Sequence, residues 1–209
     1  MDLYIPGLVY RNVCSMLKKR GATLGSPELS ESQILQQMNQ REYILLNAVR
    51  GENDPRGAAV ITAVIIEPNS SISKTTKSLN KILNFVVKQK KAEPMEILLI
   101  TRDQMQERLT KQDEFKGEHG GVSISNYTYS IFLVDITEHV SAPKHELADE
   151  KEVADFCTRY RTSKDHFSKI HASDPQAIWL GLVPGMIVRV VRASESAGEA
   201  PIYRICIKG

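Results

Sequence analysis

Several groups of residues in this chain of 209 have types and spacings that could do chemistry. Glu114-Phe115-Lys116 has the letters of the Asp/Glu-x-Lys signature of metal-dependent nucleases. In such enzymes carboxylates hold a divalent cation and a lysine helps to activate water. That signature belongs on a strand with an Asp nearby. Here Glu114 closes a charged, helix-like stretch, and Asp54-Pro55 lies among turn residues. A three-letter match at a loop is a weak signal, so nuclease chemistry is disfavoured. His139, His145, His166 and His171 cluster in the last third of the chain. His166 and His171 are five apart, which suits one helix face poorly, and a zinc site needs three or four converging ligands. Ordinary surface or core histidines are the expectation. Cys14, Cys157 and Cys206 are odd in number, far apart and without a CxxC pair. That argues against a disulfide framework or zinc ribbon and fits a reducing compartment. No Ser/His/Asp arrangement, GxGxxG or Walker-type GK[ST] is legible, so no cofactor is expected.

Charge narrows the classes further. The net charge is +2, and split at Glu138 each part carries about +1. A dedicated nucleic-acid binder usually shows a strong basic stripe. Two basic clusters remain, Lys18-Lys19-Arg20 and Lys88-Gln89-Lys90-Lys91. Both follow helical patterns, where cations favour the C-terminal dipole, so solvated helix ends are the plain reading. Composition is that of an ordinary globular protein, 42% hydrophobic and 25% charged. The longest apolar stretch, residues 58–66, is far too short for a transmembrane helix. The first residues lack the basic region of a signal peptide, so no secretion is expected and the two Asn-x-Ser/Thr matches are chance.

The elements that must position these residues follow from periodicity. Val9, Val13, Met16 and Leu17 form one helical face, with Gly21 as a stop. Ile34, Leu35 and Met38 form a second, shorter stripe. Residues 58–66 read as a buried strand. Ser73 is a candidate cap for a helix with Leu79, Ile82, Leu83 and Val86 on its buried face. Met95 to Thr101 is another apolar strand, followed by a helical stretch to about Phe115 and strand-like alternation from Val122 through the apolar run Tyr129 to Val134. This order predicts a mixed or parallel sheet flanked by helices. Beyond it, Asp149 and Glu152 have capping-box spacing. Val153, Phe156, Cys157 and Tyr160 follow at helical intervals, and Ser163 can cap another turn with Phe167 and Ile170 facing inward. Asp174-Pro175 predicts a helix start, Gly181 its stop and Pro184-Gly185 a turn. Met186–Val191 and Ile202–Ile207 read as strands joined by a polar loop from Arg192 to Pro201.

The last third also carries a series of landmarks in a fixed order: Pro143-Lys144-His145, Arg159-Tyr160, Ala172-Ser173-Asp174-Pro175, Leu180-Gly181-Leu182, Pro184-Gly185, Arg192-Ala193-Ser194-Glu195-Ser196-Ala197-Gly198 and Tyr203-Arg204. This series resembles the C-terminal assembly domain of the fifth subunit shared by eukaryotic nuclear RNA polymerases. That domain is itself similar to an archaeal RNA polymerase subunit, which resembles the C-terminal part alone. One departure is Trp179, where the family usually has Tyr. The N-terminal part resembles the eukaryotic jaw domain only loosely.

The resemblance implies an α/β protein in two parts. Residues 1–138 would be a jaw domain resembling a degenerate restriction-endonuclease-like α/β fold, and residues 139–209 a small α+β assembly domain. It implies a non-catalytic polymerase subunit in the nucleus. The assembly domain would dock on the largest subunit through Pro143, Lys144, His145, Arg192, Ser194, Glu195 and Arg204, in direct contact or as supporting network. An internal Arg192–Glu195 pair fixing the hairpin is an equal alternative. The jaw would lie beside downstream duplex DNA, with Thr101, Arg102, Lys88, Lys90 and Lys91 as DNA-proximal residues making sequence-independent contacts. A nuclease built on the N-terminal part, or a free-standing adaptor using the assembly domain, are the competing readings.

Overall fold

A computed structural model describes residues 4–57, 59–70, 72, 75–90, 94–105, 121–194 and 198–208. The chain divides into two compact units, Met1–Val134 and Asp135–Gly209.

The first unit begins with helix α1 (Tyr4–Lys19), whose Val9, Val13, Met16 and Leu17 are all buried. Strand β1 (Ala22–Leu24) leads to helix α2 (Glu31–Arg41). Ser30 and Gln33 close a capping box at the start of α2, satisfying two backbone donors reciprocally. Strands β2 (Tyr43–Arg50) and β3 (Ala59–Ile66) form an antiparallel pair. Helix α3 (Thr76–Lys90) crosses back to strand β4 (Met95–Thr101), and β5 (Val122–Thr128) completes a sheet of order β1-β2-β3-β4-β5. The β3–β4 and β4–β5 pairs are parallel, so the sheet is mixed, as expected. Leu79, Ile82, Leu83 and Val86 of α3 pack on Val64, Met95, Ile97 and Leu99. The alternate residues Ile61, Ala63, Leu98 and Ile100 are buried as well, so both faces are covered and β3 and β4 read as continuous apolar runs.

Two expectations need correction here. The apolar run Tyr129–Val134 does not prolong β5. It turns into a 3₁₀ helix, Tyr129–Phe132. Tyr129 and Phe132 face inward one turn apart, and Tyr129 Oη donates to the Ile66 carbonyl at 2.6 Å. Strands β1 and β2 are not expected from the sequence: β1 is three residues long, and the apolar run of β2 follows the stripe of α2 with no turn signal to separate them. Ser73 and the helical stretch after Met105 lie outside the described residues.

The second unit is a four-stranded sheet of order β6-β8-β9-β7, with β6 (Lys144–Leu147), β7 (Ser168–His171), β8 (Ile187–Ser194) and β9 (Gly198–Ile207). Helix α4 (Glu150–Tyr160) brings Val153, Phe156 and Cys157 onto the face bearing Ile187, Tyr203 and Ile205. Tyr160 of the expected apolar stripe is instead exposed, with its ring 4.5 Å from that of Phe156. Helix α5 (Pro175–Leu180) covers the other face, with Ala177 against Val188, Val190 and Cys206. Its ends are as predicted: Asp174 accepts from the Gln176 amide and Gly181 takes the left-handed cap at φ 66°. Gly185, at φ 95°, occupies the turn position that a side chain would strain. Asp149 sits at the N-cap of α4 but makes no side-chain cap. The capping-box expectation fails because Glu152 turns to Tyr203 Oη, 2.6 Å away, and to Arg189, 3.4 Å away. Ser163 likewise gives no backbone cap and bonds the His166 ring instead at 2.8 Å.

Candidate functional site

The β8–β9 hairpin is longer than the sequence suggests. Arg192 and Ser194 belong to strand β8, opposite Ala200 and Gly198, and the connection shrinks to residues 195–197. Ladder pairing continues beyond the apolar core because backbone hydrogen bonds do not depend on what the side chains bury. The register then decides which residues share a face, since partners directly opposite point the same way. His145 pairs with Val190, Val190 with Ile202, and Arg204 with Val188. His145, Arg192 and Arg204 therefore stand on the face that carries α5. Residues separated by up to 59 positions in the chain become neighbours on one sheet.

The groups on that face differ in state. Arg192 is exposed, whereas Arg204 is half-buried and its Nε is enclosed without an acceptor among the described residues. An arginine held this way keeps a donor unspent among those residues. His145 lies half-buried with Nδ1 2.7 Å from the Pro143 carbonyl. Burial lowers its pKa, and the Arg204 and Arg192 charges push the same way, against the hydrogen bond to Pro143 and the Asp174 charge. The folded chain thus favours neutral His145, and the cation count of the face rests on the two arginines.

This sets a pH dependence. An unfolded histidine titrates near pH ~6.5 and the folded one lower. Above ~6.5 neither state holds the extra proton and stability is full. As pH falls below that, the unfolded chain takes up the proton first and stability is lost. Urea midpoints of the second unit, followed by fluorescence between about pH 7.5 and 5.5, should fall more steeply for the natural chain than for His145→Gln. Parallel curves would remove His145 from the account.

Lys144 departs from the expected group. It lies on the opposite face by register, paired with Glu146 at 2.6 Å. Glu146 also accepts from Arg189 at 2.6 Å, and this lowers its pKa. The network Lys144–Glu146–Arg189–Glu152–Tyr203 links α4 to its sheet face. Sequence reasoning missed it because its members are spread from residue 144 to 203. Glu195 lies outside the described residues. An enclosed Arg192–Glu195 pair is not supported, since Arg192 is exposed.

In the first unit the DNA-proximal residues separate. Thr101 is buried and its hydroxyl donates to the Asp103 carbonyl at 2.8 Å, so its side chain is not available to a phosphate. Arg102, beside it, is exposed. Lys88 is exposed in the last turn of α3, which Lys90 ends; the Lys90 side chain and Lys91 lie outside the described residues. Helix α3 delivers its C-terminus to the start of β4, whereas Arg102 follows the end of that strand. Seven strand residues separate them by about 20 Å. Lys88 and Arg102 therefore do not form one continuous patch.

The first basic cluster also needs correction. Lys18 is a solvated helix end, ion-paired with Glu28 at 2.6 Å, but Arg20 is buried against Glu96 at 3.2 Å. Asp54 is engaged by Arg56, whose Nε and Nη2 donate to its two oxygens at 2.7 and 2.6 Å, and that hydrogen bonding lowers its pKa. Glu114 and Lys116 lie outside the described residues. Among the described residues, no three His, Cys, Asp or Glu side chains converge in a way that could hold a metal.

Comparison with known proteins bears on the second unit. Residues 134–206 match the family model described as RNA polymerase Rpb5, C-terminal domain. The chain is 38% identical over 73 residues to DNA-directed RNA polymerase subunit Rpo5 of Methanosarcina acetivorans, covering 35% of this chain and 94% of that one. It is 35% identical over 86 residues to the DNA-directed RNA polymerases I, II, and III subunit rpabc1 of Dictyostelium discoideum, 41% of this chain and 44% of that protein. A DNA-directed RNA polymerase RPB5 homolog of African swine fever virus is 36% identical over 87 residues, 42% of each. The chain thus matches less than half the length of the amoebal and viral relatives, and nearly all of the archaeal one.

Proposed function

The chain belongs to the RNA polymerase Rpb5 family, and from that premise we propose that it is a non-catalytic subunit of a DNA-directed RNA polymerase acting in the nucleus. The second unit docks on the largest polymerase subunit. The observation that carries this reading is that the matched stretch, residues 134–206, contains the sheet face bearing His145, Arg192 and Arg204. Pro143 supports that face through its carbonyl, and Ser194 and Glu195 are further candidate contacts taken from the family resemblance. Two arginines on a partly enclosed face suit an acidic or carbonyl-rich partner, with Arg204 as the enclosed member and Arg192 on the rim. The first unit serves as the lower jaw near downstream DNA. Arg102 and Lys88 are its candidate phosphate contacts, sequence-independent and sensitive to salt.

Affinity purification of the tagged chain from its native cell, with mass spectrometry, tests the reading. The two large polymerase subunits should appear in near-equal amounts. Their absence from a clean, abundant sample would leave a free-standing adaptor as the better account. Arg192→Glu provides the finer test. Its exposure predicts a stability change within about 0.5 kcal/mol, typical of surface substitutions. Recovery of the largest subunit should drop by roughly tenfold, about 1.4 kcal/mol of binding. Undiminished recovery would take Arg192 out of the interface.

A further inference from the structure

Four aromatic rings on the α4 face of the second unit form a chain that ends in solvent. Phe167 and Tyr203 are buried, with ring centroids 5.8 Å apart. Phe156 lies 5.8 Å from Phe167 and 4.6 Å from Tyr203, and Tyr160 lies 4.5 Å from Phe156. Tyr160 is 62% exposed, so its ring rests on Phe156 while most of it meets water. Four cations accompany it. Arg159 and Arg161 flank it in the chain, Lys164 opens the following turn, and Lys169 stands on the same sheet face, opposite Ile205 of the α4 contact. All four are exposed, and none has an ion pair or side-chain hydrogen bond among the described residues. Between residues 155 and 169 the carboxylates are Asp155 and Asp165, so four cations stand against two.

Arg161 is an independent sign of use. It caps α4 in the left-handed conformation, φ 47° and ψ 45°, where glycine would sit without strain. The backbone gains nothing from a side chain there, and the guanidinium is not engaged within the described chain. A strained residue with an idle charged side chain points to a contact outside the chain. An open aromatic ring among unpaired arginines and lysines suits a ligand that brings phosphates and unpaired bases together. A duplex keeps its bases stacked inside and offers the ring nothing. An acidic peptide would use the cations but has no regular π-face for Tyr160. We infer that the end of α4 binds single-stranded nucleic acid, with a base stacked on Tyr160 and the backbone phosphates met by Arg159, Arg161, Lys164 and Lys169. The site lies on the sheet face opposite α5, so it does not overlap the docking surface or depend on that reading. It differs from the duplex contacts of the first unit in needing unpaired bases.

Fluorescence anisotropy of the full chain with labelled oligouridylate and oligothymidylate tests this. Saturable binding is expected, and it should weaken as salt rises. Tyr160→Ala should weaken it about tenfold with the salt dependence unchanged, whereas Tyr160→Phe should retain it, because stacking needs the ring and not the hydroxyl. Arg159→Gln should weaken binding and flatten its salt dependence. Arg161→Gly separates binding from folding: it should raise the thermal midpoint of the second unit by relieving the cap, yet bind less tightly. If Tyr160→Ala fails to fold, Arg161→Gly still decides. Tighter binding of oligouridylate assigns the site to RNA, tighter binding of oligothymidylate to DNA, and equal binding to either strand. An unlabelled duplex that displaces the strand as well as the unlabelled strand does, or polyglutamate that displaces it better, would overturn the proposal. So would the absence of saturable binding, or affinity unchanged in folded Tyr160→Ala or Arg161→Gly.

Discussion

Trp179→Ala should destabilise the second unit by about 3–5 kcal/mol, the usual cost of emptying a fully enclosed aromatic site. Trp179 has no exposed surface, although α5 is only six residues long. So short a helix gains little from its own hydrogen bonds and depends on packing. Its inward residues, Gln176, Ala177, Ile178 and Trp179, hold it on the sheet, with Gln176 Nε2 also donating to the Ile136 carbonyl at 3.0 Å. Losing the indole removes most of that anchorage, and the face bearing His145, Arg192 and Arg204 loses its cover. Trp179 is the chain's one tryptophan, so its fluorescence reports unfolding of this unit in the natural protein. Circular dichroism in urea can follow the variant. Trp179→Tyr, which restores the residue usual in the family, should cost less than half as much. A loss under about 1 kcal/mol for the alanine variant would mean that the site collapses without penalty and that α5 is held by other contacts.

Glu96→Ala should damage the first unit on a similar scale, about 3–5 kcal/mol, for an electrostatic reason. Its carboxylate is an acceptor shared by Arg20 and Arg50, which reach it from the end of α1 and from β2. Removal strips that acceptor from two buried guanidiniums. Glu96→Gln keeps one oxygen and should cost less. Thermal unfolding by circular dichroism should place the early transition in the alanine variant, with Trp179 fluorescence reporting the second unit separately. A change under about 1 kcal/mol would show that water or other acceptors replace Glu96 readily. Arg192→Ala offers the contrast: it removes an exposed charge from the docking face and should leave stability nearly unchanged.

Local signals survived folding where they depended on neighbours in sequence. Asp174-Pro175 starts α5 and Gly181 ends it because caps act within one turn. The apolar faces of α1 and α3 are buried residue for residue because helical periodicity is a property of the chain itself. Signals failed where a tertiary partner made a better offer. Glu152 left the expected capping box for Arg189 and Tyr203, and Tyr129–Phe132 left the strand to place two aromatic rings inward.

By itself, the amino-acid sequence determined the mixed α/β character, the five helices with the strands β3, β4, β8 and β9, and the series of landmarks that places the chain in its family. These depend on periodicity and on residues close together along the chain. Only the tertiary structure decided which landmarks meet. It set Lys144 on the far face from His145, aligned Arg192 and Arg204 beside α5, buried Thr101, and drew Arg20, Arg50, Asp54, Arg56 and Glu96 to one end of the first sheet's strands. Strand register and long-range ion pairing join residues tens of positions apart, and no local pattern encodes that pairing, because its energy exists only once both faces of the sheet are covered.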